Sequence, residues 1–173
     1  VLGRDTVPAA LHEAIRNGAE RVALEAEHVS WAQWDRIQQH VPGDLIPTRL
    51  LVERLRRHKD ASEVESIRTA CDIICTVLTQ LMTEIRPGQT EREIARRLQS
   101  LVYELGGDGL AFDTIVATGP HSAIPHHQPT DRVVAAGDLL KIDSGALYRG
   151  YHSDLTRTFV VGADPTPEQT SLY

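Results

Sequence analysis

Residues 139–162, LLKIDSGALYRGYHSDLTRTFVVG, set the strongest constraint on the fold: apolar and β-branched residues flank a turn-rich centre, as in an antiparallel hairpin. The predicted arms run over 139–146 and 151–161, with the turn near Tyr148-Arg149-Gly150 and Gly150 supplying a positive φ. Asp143 and Asp154 interrupt this pattern. A register centred between 148 and 149 would set them directly opposite, with Cβ atoms about 5 Å apart. Two bare carboxylates at that range repel, and burial adds a desolvation cost. A divalent cation, or a pair, removes the conflict, because hard metals favour carboxylate oxygens and reverse the local field. His152, Thr156 and Thr158 share the Asp154 side of the arm and could support such a site. The same spacing also suits a plain alternative, in which Asp143 closes a D-x-G turn with Gly145 and Asp154 pairs with Arg157 at the surface.

Upstream of the hairpin the periodicity is helical. Ser62 and Glu65 form an S-x-x-E box, and Ile67, Cys71, Ile74, Leu78, Leu81 and Ile85 then recur at helical spacing until Pro87-Gly88. Thr90 and Glu93 repeat the box before Ile94, Leu98, Leu101 and Leu105, and Gly106-Gly107 ends that helix. Cys71 and Cys75, the only cysteines, lie at i, i+4 on the first of these helices, where a disulfide is geometrically awkward and buried thiols are expected. A strand is expected over 112–117. Nearer the start, a helix over 9–19, a strand over 21–26 and a short helix opened by Ser30 and Gln33 make a small α/β unit that ends near Pro42-Gly43 and Pro47. The basic stretch from Arg54 to Lys59 reads as a solvated helix face or linker.

The loop TGPHSAIPHHQPTDR holds His121, His126 and His127 ahead of the hairpin, candidates for substrate contact or proton transfer, with ordinary surface imidazoles as the competing reading of each. No G-x-S-x-G elbow, P-loop, G-x-G-x-x-G turn or H-E-x-x-H helix is present. With 24 acidic against 18 basic residues and a formal net charge of -6, the chain is a poor match for nucleic acid or an anionic membrane. No signal-peptide pattern or apolar run of membrane-spanning length appears, so a reducing cytoplasm is the expected compartment. The chain opens on Val1 and Leu2 in mid-pattern and is expected to be an excerpt of a longer protein.

Taken together, FDTIVATG, SAIPH, GDLLKIDSGA and GYHSDLTRTF resemble the first half of the catalytic domain of the pita-bread metallopeptidases, in particular the Xaa-Pro dipeptidases (prolidases) and Xaa-Pro aminopeptidases. The resemblance implies an α+β fold: the C-terminal part of a creatinase-type N-terminal domain and linker over 1–58, then the N-terminal half of the pita-bread domain over 59–173. It implies that Asp143 binds one metal and Asp154 bridges two, with manganese, cobalt or zinc as the ions. His126 would contact the substrate and help stabilise the tetrahedral intermediate, and Phe112 would wall the substrate pocket. The implied reaction is hydrolysis of the bond before proline by a hydroxide held between two cations. The family completes its metal site with a histidine and two glutamates from the second half of the fold, which the sequence to Tyr173 does not contain. The chain alone is therefore expected to bind metal weakly and to be inactive. A proline-containing peptide and a second copy of the chain are the implied partners. The competing reading is a non-catalytic pita-bread module that binds peptides or a protein.

Overall fold

The computed structural model describes residues 13, 16–18, 20–40 and 43–172. The helix expected over 9–19 and the turn at Pro42 lie largely outside them. The chain divides into two compact units, Val1–Lys59 and Asp60–Tyr173.

In the first unit, strands β1 (Arg21–Glu25) and β2 (Asp44–Thr48) pair in parallel, joined through helix α1 (Trp31–His40). Parallel neighbours need such a crossover. Ser30 and Gln33 exchange hydrogen bonds at the start of α1: the Ser30 amide donates to Gln33 Oε1 at 2.8 Å, and the Gln33 amide to Ser30 Oγ at 3.3 Å. Ile37 is buried against Val22, Leu24, Val29 and Leu45, the inward positions of the unit. A short helix, α2 (Leu51–Arg56), carries the first half of the basic stretch, 54–56, and buries none of its residues.

The second unit begins with the long helix α3 (Ala61–Glu84), followed by α4 (Glu91–Glu104). The reciprocal box that opens α3 is Asp60 with Glu63, two residues earlier than the expected Ser62 and Glu65. Asp60 Oδ1 accepts from the Ser62 amide, the Ser62 hydroxyl and the Glu63 amide, so Ser62 is a donor to the cap rather than the cap itself. An ionised acceptor placed at the positive end of the helix outcompetes a neutral hydroxyl. The Thr90–Glu93 box stands at α4 as expected. The buried face of α3 is Ala70, Ile73, Ile74, Val77, Leu78 and Leu81, whereas Cys71 and Cys75 are exposed, contrary to the expectation of buried thiols. The inward arc is centred on the 70–74–77–81 line, and the aliphatic residues at 73 and 77 draw it away from the cysteines.

The strands are β3 (Gly109–Leu110), β4 (Ile115–Thr118), β5 (Leu139–Ser144), β6 (Ala146–Tyr148), β7 (Tyr151–His152) and β8 (Leu155–Val160). They form two antiparallel sheets, β3-β6-β7 and β4-β5-β8. A short helix, α5 (Pro167–Leu172), follows. Each expected hairpin arm is split between the sheets, breaking at Gly145 on one side and at Ser153 and Asp154 on the other. Leu140 and Ile142 turn inward to the core made with α3 and α4, while Leu139, Lys141 and Asp143 lie on the other, half-buried side of β5.

Candidate active site

The turn decides where the two aspartates fall. Arg149 and Gly150 both have positive φ, 48° and 80°, and the pairs Tyr148↔Tyr151 and Leu147↔His152 close a two-residue turn around them. That turn suits the right-handed twist of a hairpin. It centres the register between 149 and 150, one position beyond the expected centre, so Asp143 pairs with Thr156 and not with Asp154. Counted along the same register, Asp154 falls opposite Gly145, outside both ladders. By register it is the diagonal neighbour of Asp143, which in a continuous ladder is a spacing of about 7–8 Å between Cα atoms.

Gly145 explains the break. A Cβ there would overlap the Ser153 carbonyl oxygen and crowd the Ala111 side chain, so only glycine lets the arms approach so closely. Ser153 fastens the same point: its hydroxyl accepts from the Ala146 amide at 2.9 Å and donates to the Ala70 carbonyl at 3.0 Å, tying the hairpin to α3. Asp143 is half-buried and accepts from the Thr156 hydroxyl at 2.8 Å, while Asp154 is exposed. The alternative pairing of Asp154 with Arg157 does not form among the described residues; the Arg157 guanidinium donates to the Thr156 carbonyl instead.

Lys141 brings the histidine loop over this face. It lies two residues before Asp143, on the same side of β5, and its ammonium donates to the Ile124 carbonyl at 2.7 Å. The segment after β4 passes through a 3-10 turn over Gly119–Ala123 and reaches His126, exposed in the turn that follows. Phe112 is half-buried in a bend before β4, which begins at Ile115 rather than at 112.

His121 and His127, of the same loop, are drawn elsewhere. Their rings lie 4.3 Å apart, and each donates to a different oxygen of the fully buried Glu91: His121 Nδ1 to Oε1 at 2.9 Å and His127 Nε2 to Oε2 at 2.8 Å. Burial alone would push the Glu91 carboxyl up, but the donors around it, His127 and Thr130 foremost, hold it down to about 2. Glu91 carries no sequence signal of this role, since an acidic residue in the first turn of a helix is what the helix dipole favours anyway. A second cluster, Glu25, His28 and Glu53, lies at the surface of the first unit. There the His28 ring pairs with Glu53 at 3.0 Å, a hydrogen bond that raises its pKa.

Residues 65–173 match Metallopeptidase family M24, and residues 1–58 match the Creatinase/Prolidase N-terminal domain. The chain belongs to metallopeptidase family M24. Its fold is that of the pita-bread prolidases and aminopeptidases: it superposes on the Xaa-Pro dipeptidase from Bacillus anthracis with a TM-score of 0.91 and 30% identity, covering 99% of this chain and 48% of that one. The X-Pro aminopeptidase from Thermotoga maritima MSB8 gives a TM-score of 0.88 at 35% identity, with 99% and 49% covered. The Xaa-Pro dipeptidase of Pyrococcus furiosus is 42% identical over 123 residues, 71% of this chain and 35% of that protein. This M24 chain thus spans about half the length of the solved relatives it matches. No helix among its described residues is long and apolar enough to cross a membrane.

Proposed function

We propose that the protein carrying this chain is a metal-dependent peptidase that cleaves the bond before proline, as an Xaa-Pro dipeptidase or aminopeptidase. The observation that carries this reading is the face of β5 that holds Lys141 and Asp143, where the Lys141 ammonium binds Ile124 in the loop that leads to His126. Asp143, steadied by Thr156, and Asp154, just outside the ladder at the Gly145 break, are hard oxygen donors at the same end of the β5–β8 pair and suit divalent cations. Two such ions would supply Lewis acidity, acidifying a water and polarising the scissile carbonyl. This chain's own residues do the rest. Asp143 and Asp154 hold the ions, His126 donates a hydrogen bond to the carbonyl oxygen as charge develops, and Phe112 lines the pocket that selects a proline ring. Selection by shape suits this substrate, because the imide nitrogen of an Xaa-Pro bond has no hydrogen to donate. The reading takes a proline-containing peptide as ligand and a homodimer as assembly. It assigns the remaining histidine and two glutamate ligands to sequence beyond residue 173.

Metal content and Ala-Pro hydrolysis test it in the full-length protein. Asp143→Asn and Asp154→Asn should each lower bound manganese, cobalt or zinc and reduce turnover by about a hundredfold or more. Undiminished metal and turnover in both variants would overturn the assignment. The 173-residue chain alone should not hydrolyse Ala-Pro, and turnover by it in added manganese would overturn the claim that further ligands are needed.

A further inference from the structure

Glu91 is the first residue of α4, yet its carboxylate does not serve its own helix. The Thr90–Glu93 box already caps that end. Glu91 instead collects five hydrogen bonds, and all five donors lie within residues 118–130. Oε1 accepts from the Thr118 amide at 2.9 Å and His121 Nδ1 at 2.9 Å. Oε2 accepts from His127 Nε2 at 2.8 Å, the Thr130 amide at 2.9 Å and the Thr130 hydroxyl at 2.7 Å. The side chain is fully buried. Although Glu91, His121 and His127 lie close enough to share a cation, the five donors already fill the carboxylate's acceptor sites, so the cluster is a clasp held by protons.

The clasp grips the loop on both sides of His126, at Thr118 and His121 before it and at His127 and Thr130 after it. Lys141 adds a hold at Ile124, two residues before His126. We propose that Glu91 is the positioning residue for His126, fixing the imidazole over the Asp143 face by anchoring both flanks of its loop to a rigid helix end. The inference rests on the reading of His126 as a substrate contact. A group that must meet a developing charge gains from such an anchor, since a displacement of about 1 Å can cost on the order of a hundredfold in rate.

The test uses the full-length, metal-loaded protein and reads two quantities: kcat and KM for Ala-Pro, and the pH titration of the His126 Cε1–H resonance. Glu91→Gln places an amide N–H among donors. It should lower kcat by about tenfold to a hundredfold with KM changed less than about threefold, and should shift the His126 titration. His127→Leu should move both quantities in the same direction, and His127→Gln, whose amide can still donate to Glu91, should restore most of the loss. If Glu91→Gln fails to fold, the His127 pair alone decides. Wild-type kcat and an unchanged His126 titration in His127→Leu, or in a folded Glu91→Gln, would overturn the proposal. His126→Ala separates the two levels: undiminished turnover there would refute the substrate role of His126, while the His126 resonance in the Glu91 and His127 variants would still report whether Glu91 sets its environment.

Discussion

Gly145 and Glu91 show how much one residue can decide. At Gly145 any side chain meets backbone on one side and the Ala111 methyl on the other, so relief requires the hairpin arms to part. Gly145→Ala should cost more than about 2 kcal/mol, read as a lower urea midpoint with an unchanged slope. A variant that unfolds with the wild type would show that the arms do not need this approach. Glu91 makes an equally specific prediction about acid. Its folded carboxyl lies at about 2 against an ordinary 4.5, so the stabilisation it contributes is complete above pH 4.5 and is lost as pH falls toward 2. The gap in melting temperature between wild type and Glu91→Gln should therefore be widest above pH 4.5 and narrow below it. His121 and His127 face the carboxylate, so the comparison is read below pH 4.5, where a gap independent of pH would refute the depressed value.

At the scale of elements, periodicity and caps carried most of the information. The Thr90–Glu93 and Ser30–Gln33 boxes were legible because a capping side chain and its reciprocal partner stand three residues apart. Thr166 and Gln169 repeat that spacing at α5, a helix the sequence reading did not include, with the Thr166 amide donating to Gln169 Oε1 at 2.8 Å. At α3 two overlapping candidates competed and the charged one prevailed. Asp60→Ala should thus lower the denaturant midpoint, and Ser62→Ala should lower it clearly less. Equal losses would mean that Ser62 is the cap after all. Helix pairing also has a polar component: Arg97 of α4 binds Glu84 of α3 at 2.6 Å and Glu104 of its own helix at 2.9 Å. Arg97 is thereby the acid-insensitive partner that holds the Glu84 carboxyl down to about 2.

The whole molecule joins two units with separate cores, and in the larger one α3 and α4 cover a single side of the β4-β5-β8 sheet. The other side presents Leu139 and Val160 as a cross-strand pair, continued by Ala163 and Pro165 along one groove. Uncovered apolar surface of this kind promotes association. The 173-residue chain should show a light-scattering mass that rises with concentration above its 19.1 kDa, and Val160→Asp should reduce the rise. A constant monomer mass across the range would remove the argument.

The sequence by itself determined the long helices α3 and α4, the existence of the hairpin and the family motifs, because each follows from spacing along a few neighbouring residues. Only the tertiary structure decided the rest. The turn at Arg149-Gly150 moved Asp143 from Asp154 to Thr156, a shift that alternation cannot detect because it preserves which face each residue occupies. The outward turn of Cys71 and Cys75 depended on which arc of α3 the sheet covered. The clasp at Glu91 joins residues 27 to 39 positions apart, a convergence that no local pattern encodes because it exists only once helix and loop have packed.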